Sequence, residues 1–154
     1  MLVACSPQAQ APAQNLANDE QAQAPASEWD AQTGLSEIPL TINSRGKVQR
    51  FTVEVAASPQ QQERGLMFRK SLAPDRGMIF PYTPPQHVAF WMKNTLIPLD
   101  MVFIREDGTI ARIATAKPLD QTPVPSGEPV VAVLEIAGGR AAQLGIKAGD
   151  VARW

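Results

Sequence analysis

The chain has 154 residues, 44% of them hydrophobic and 19% charged, and a formal net charge of −1, enough for one domain with a true core plus a segment that does not fold. Asp19, Glu20, Glu28 and Asp30 fall in the first 34 residues, so the remainder holds 14 basic against 11 acidic residues. That excess is far below the basic stripe of a dedicated nucleic-acid binder, and no zinc-finger, helix-turn-helix or aromatic RNA-binding signature accompanies it, so nucleic acid is not an expected partner.

The single cysteine, Cys5, sits in Leu2-Val3-Ala4-Cys5-Ser6, which resembles the lipobox of bacterial lipoproteins. The resemblance implies an acylated Cys5 as the mature N-terminus and a domain held at a membrane surface, each buried methylene contributing about 0.8 kcal/mol. It also implies a periplasm-facing lipoprotein, with Ser6 rather than an aspartate pointing to the outer membrane. Only four residues precede Cys5, too few for the charged and hydrophobic parts of a signal peptide, so residues 1–5 read as a remnant and the chain as written is expected to stay soluble. No segment is long enough to span a bilayer as a helix.

Residues 6–34 contain 17 Ala, Gln or Pro among 29, no basic residue, and Thr33 as the one β-branched residue. Such a stretch cannot bury enough apolar surface to fold and reads as a disordered tether. A single globular domain is expected over 35–154. Ile38 to Ile42 reads as a strand, Asn43-Ser44-Arg45-Gly46 as a turn, and Val48 to Ala56 as a second strand. There Phe51, Val53 and Val55 alternate with Thr52 and Glu54, giving one apolar and one polar face. Ser58-Pro59-Gln60-Gln61 supplies an N-cap, a proline at the first helical position and a glutamine three residues after the cap, with Gly65 as a stop, the pattern of a short helix.

Further strands are expected at Met78 to Phe80, Val88 to Met92, Leu99 to Arg105, Thr109 to Ala114 and Val130 to Ile136, with Asp107-Gly108 turning the third into the fourth. Gly138 to Leu144 reads as a second short helix ended by Gly145, before a last strand through Val151. Pro81, Pro84 and Pro85, and then Pro118, Pro123, Pro125 and Pro129, mark two long irregular loops, because proline cannot donate to a ladder. Without a strand–helix rhythm, the expected fold class is mainly β (α+β): a compact, rolled-up, largely antiparallel, barrel-like sheet with two short helices and long Pro-rich loops.

Gly65-Leu66-Met67-Phe68-Arg69, Gly77-Met78-Ile79-Phe80, Phe90-Trp91-Met92-Lys93-Asn94-Thr95, Ile97-Pro98-Leu99-Asp100, Leu134-Glu135 and Leu144-Gly145-Ile146-Lys147-Ala148-Gly149-Asp150 follow one another along the chain. In this order they resemble the domain of unknown function 192 family over roughly residues 36 to 152. The resemblance implies a compact, mostly β domain, often exported in bacteria, with no activity attached to it.

The residues themselves limit the chemistry. Cys5 is the only thiol and lies on the tether, so cysteine-type nucleophilic catalysis is excluded from the domain. His87 would be the sole base of any serine triad, and no Gly-x-Ser-x-Gly elbow is present. One imidazole and no usable thiol make a poor transition-metal site, and no EF-hand spacing supports calcium. No catalytic residue, metal or cofactor is therefore expected.

Polar residues inside apolar runs remain, and these must be paired, wet or functional. Asp100 and Glu135 stand in strand-like segments, and two carboxylates in contrasting environments would suit glycosidase-type acid and base work. A Lys93 to Asp100 ion pair closing the proline-containing bend, with Asn94 bonded to loop backbone, explains the same residues structurally. Arg69 could clamp a carboxylate, either Glu135 or a ligand, and Trp91 could serve as a stacking platform or as core.

Arg69, Trp91, Lys93, Asn94, Asp100 and Glu135 are thus the candidate ligand-binding set. The favoured reading is a membrane-tethered cell-envelope binding or accessory domain for a small polar, sugar-like or anionic ligand. The alternatives are a hydrolase acting on an envelope glycan through Asp100 and Glu135, and a structural or protein-interaction module.

Overall fold

The computed structural model describes residues 34–154; the lipobox-like segment at Cys5 and the Ala/Gln/Pro-rich stretch up to Thr33 lie outside the described residues. In chain order the elements are β1 (Glu37–Ser44), β2 (Lys47–Val55), α1 (Pro59–Arg64), β3 (Arg76–Gln86), β4 (Ala89–Phe90), β5 (Leu99–Ile104), β6 (Ile110–Ala116), β7 (Val124–Pro125), β8 (Val130–Ala137), α2 (Arg140–Leu144) and β9 (Val151–Arg153). Seven strands form one sheet in the order β6-β5-β8-β3-β2-β1-β9, and β4 and β7 form a separate pair.

Local sequence accounts for the first elements. β1 and β2 close into a hairpin around Arg45 and Gly46, both at positive φ, the twist that suits a two-residue turn between right-twisted strands. α1 begins in a full capping box: the Gln61 amide donates to Ser58 Oγ at 3.2 Å, and the Ser58 amide donates to Gln61 Oε1 at 2.8 Å. The helix and the loop after it carry the chain across to β3, which therefore runs parallel to β2, whereas the other pairs in this sheet are antiparallel.

The sheet is rolled without forming a closed barrel. Its two edges meet at one point, where the Ile110 amide donates to Asp150 O at 2.8 Å, the Gly149 amide to Ile110 O at 2.8 Å, and the Ala152 amide to Gly108 O at 2.9 Å. Leu40, Phe51, Ile79, Val102, Ile110, Leu134 and Ala152, among others, pack together. Because every strand of the seven contributes to that cluster, it is the inside of the roll. Ala141 of α2 and the following Ile146 complete it.

The opposite face of β3, β5, β6 and β8 supports a second cluster, with Met78, Phe80, Leu99, Met101, Phe103 and Val133 packed under Leu66 and Met92 from the loops. Both faces of β5 are consequently buried along its whole length, as its unbroken apolar run requires.

Two readings of the sequence need correction. The first proline cluster lies within β3, not in a loop: Pro81 pairs with Ala132 and Gln86 with Val130, with a register shift between them. Prolines are tolerated because β2 leaves β3 after Ile79, so one edge of the strand has no ladder to supply with amides. The segment Val88 to Met92 contributes only Ala89 and Phe90 as strand, paired with Val124 and Pro125.

Candidate functional site

Strand alternation divides the two carboxylates chosen from the sequence. Asp100 pairs with Ile136, which belongs to the inner cluster, and Met101, of the outer cluster, pairs with Glu135. Residues opposite one another share a face, so Asp100 points into the roll and Glu135 out of it. The two acids share no cleft, and an acid/base pair made of Asp100 and Glu135 does not exist in this fold.

Asp100 is occupied structurally. Its carboxylate accepts from Thr115 Oγ1 at 2.6 Å, the Gly139 amide at 2.9 Å and the Ala141 amide at 2.8 Å. Gly139, the residue before α2, has no side chain with which to cap it, and Asp100 from the neighbouring strand takes that role. The expected Lys93 to Asp100 ion pair is absent for the same reason: Asp100 is buried and already satisfied, while Lys93 is exposed with its Nζ 5.2 Å from the Trp91 ring centroid.

Arg69 meets neither Glu135 nor open space. Its guanidinium grips Glu54 in bidentate fashion, Nη2 to Oε1 at 2.9 Å and Nη1 to Oε2 at 2.5 Å, and both residues are buried. Glu54 was hidden from sequence reasoning because it alternates with apolar residues along β2, the pattern of a solvated face. Here the loop after α1 covers that face and brings its own counter-charge.

Glu135 has no such partner among the described residues. Only 5% of the residue is exposed, and it stands among apolar neighbours of the outer cluster with Met78 and Met101 directly opposite on the two flanking strands. Burial pushes its carboxyl up from the ordinary value to about 8, which favours the protonated form at neutral pH. Tyr82 is raised to about 12, first by its own burial and then by the Glu135 charge. The two shifts agree, since Glu135 is ionised by the time the phenol gives up its proton.

Glu135 lies at a recess of about 40 Å3 walled by Leu66, Phe80, Phe90 and Trp91 and, from α1 and its end, by Gln62, Glu63, Arg64 and Gly65. Gly65 keeps this space narrow yet open: a Cβ there would sit 3.3 Å from the Phe80 ring. Trp91, half exposed, stands at the rim with Lys93 over its indole. Asn94, at φ 56, is held by an Nδ2 to Met67 Sδ contact of 3.9 Å and by its carbonyl, which accepts from the Phe68 amide at 2.8 Å.

Of the six candidate residues, the fold brings Glu135 and Trp91 to one recess, with Lys93 over the Trp91 ring and Asn94 bonded to the neighbouring Met67 and Phe68. Arg69 and Asp100 serve as buried structural groups. A shallower groove of about 620 Å3 beside Pro85, Arg105 and Glu128 is wider, but its Arg105 and Glu128 already pair with each other. His87 is exposed just past β3, and among the described residues no three His, Cys, Asp or Glu side chains converge on a metal position.

The model of the Uncharacterized ACR family, domain of unknown function 192, matches residues 40–154. The chain belongs to this family. Two solved structures have similar folds. A protein of unknown function from Novosphingobium aromaticivorans is 45% identical, with a TM-score of 0.78 over 80% of this chain and 89% of that one. A candidate transcription regulator from Sinorhizobium meliloti is 40% identical, with a TM-score of 0.76 over 77% of this chain and 94% of that one. No curated protein matches. The family match takes in both buried structural groups and the Glu135 recess, and no helix of the described residues is long and apolar enough to cross a membrane.

Proposed function

We propose that this member of the domain of unknown function 192 family is a tethered cell-envelope binding domain that takes one hydrogen-bonding arm of a small polar, sugar-like or anionic ligand into the Glu135 recess. The observation that carries this reading is a buried acid whose carboxyl group has no hydrogen-bond partner among the described residues and lies at a recess. Among the described residues, the fold pairs Glu54 and surrounds Asp100 with donors but leaves Glu135 unmatched, at a cost in stability.

Protonated, Glu135 offers one O–H to donate and a carbonyl oxygen to accept, which matches a hydroxyl or a hydroxymethyl group. A recess of about 40 Å3 has room for little more than one such group. The rest of the ligand would lie against the Trp91 indole, with Lys93 beside it for any negative charge. Lipid on Cys5 would keep the domain at the membrane. Transcriptional control is the weaker reading, because the helices among the described residues, α1 and α2, have six and five residues, too short to lay a reading helix in a major groove.

The test is a screen by 15N and indole NMR shifts against monosaccharides, polyols and small organic anions at pH 6.5. Binding should move Gly65, Leu66 and the Trp91 indole together, and Glu135→Leu should abolish the effect while leaving the spectrum of the inner cluster unchanged. Shifts that persist in Glu135→Leu, or a full panel without perturbation at this recess, would refute the reading.

A further inference from the structure

Four of the exposed large apolar side chains gather on adjoining loops: Phe68 is 59% exposed, Trp91 48%, Leu96 44% and Leu119 57%. Backbone bonds hold these loops side by side. The Phe68 amide donates to Asn94 O at 2.8 Å, the Leu119 amide to Thr95 O at 3.0 Å, and the Met92 amide to Asp120 O at 2.8 Å. Phe68 and Leu119 are at φ 65 and 62, left-handed conformations that disfavour residues with a Cβ. The fold thus holds two apolar side chains in water on strained backbone, the opposite of what packing alone would select.

Charge follows the same loops. Lys70 lies two residues after Phe68, Lys93 covers Trp91, Lys117 lies two residues before Leu119, and all three are exposed, as is Arg64. The exposed acids on these segments are Glu63 and Asp120, and Asp120 already accepts from the Thr122 amide. Apolar tips interleaved with lysines match a surface that is apolar below and anionic at its edge.

We propose that this loop cluster is a membrane-docking face, which inserts Phe68, Trp91, Leu96 and Leu119 at the interface of an anionic bilayer while Lys70, Lys93 and Lys117 engage lipid headgroups. The charge complementarity selects a bilayer over a second copy of the chain, whose identical basic rim would repel it. The proposal requires no ligand in the Glu135 recess, although Trp91 and Lys93 would be shared between the two, and the test variants are therefore placed at Phe68, Lys70, Lys117 and Leu119.

The test uses the 154-residue chain carrying Cys5→Ser, so that no acyl chain contributes, sedimented with vesicles of phosphatidylcholine alone or mixed equally with phosphatidylglycerol. Binding is expected to the mixed vesicles, to weaken with salt, and to fall about tenfold or more in Phe68→Ser/Leu119→Ser. Lys70→Gln and Lys117→Gln should each cost about fivefold. These lysines are exposed, so the charge variants remain informative even if the apolar double variant is less stable.

Equal sedimentation of wild type and variants, or no binding to the anionic vesicles, would overturn the proposal. So would a lipid-free dimer dispersed by Leu119→Ser, which would assign the face to a second copy.

Discussion

Glu54, Asp100 and Glu135 are buried acids on three strands of one sheet, and each meets the cost of burial differently. Glu54 is clamped by the Arg69 guanidinium, Asp100 accepts from two amides and a hydroxyl, and burial pushes the Glu135 carboxyl up toward its neutral form. Part of this is legible in the sequence: an acid inside an apolar strand-like run signals burial, which singled out Asp100 and Glu135. The partner is not legible, because Thr115, Gly139 and Arg69 reach their acids through register and loop placement. The Glu135 shift has a definite sign. A carboxyl raised from 4.5 to about 8 binds more protons folded than unfolded, so its contribution to stability is intact below pH 4.5 and lost as pH rises through about 8. The full swing is on the order of 5 kcal/mol. Urea unfolding of Glu135→Gln should accordingly lack this decline and exceed wild-type stability at pH 9; curves that stay parallel from pH 5 to 9 would contradict it.

At the scale of elements, α2 shows how a five-residue helix survives where isolated helices of that length do not. It ends at Gly145 in the left-handed conformation, and its start is fixed by Asp100 of β5. Asp100→Ala leaves the Gly139 and Ala141 amides without their acceptor and should cost on the order of 3 kcal/mol of unfolding free energy. Lys93→Ala removes only an exposed ammonium over an indole and should cost less than about 1 kcal/mol. Equal losses in the two variants would restore the ion pair between them. Most elements could be read locally: the Ser58 capping box, the turn at Arg45 and Gly46, and the alternation of β1 and β2. The proline-bearing β3 could not, because whether proline is tolerated depends on which neighbour has already left the strand.

For the whole molecule, the mainly β class and rolled sheet follow from short alternating runs without a strand–helix rhythm, and the structure has that architecture. Strand order was beyond the sequence, since the parallel β2–β3 pair and the meeting of β6 with β9 are long-range events. Rolling encloses one face of the sheet and leaves the other to be covered by loops. That outer face is where Glu135 is buried without a partner among the described residues and where the exposed apolar residues and lysines crowd together. One covering layer of loops thus forms the walls of the recess and the proposed docking face. The state of a single carboxyl decides whether this recess is a site. Its direct measurement is a pH titration of the 13C carboxyl resonance of Glu135, assigned by its absence in Glu135→Gln. A midpoint near 8 is the predicted result; a midpoint near 4.5 would mean a solvated or paired carboxylate and would contradict the reading of this recess as a site.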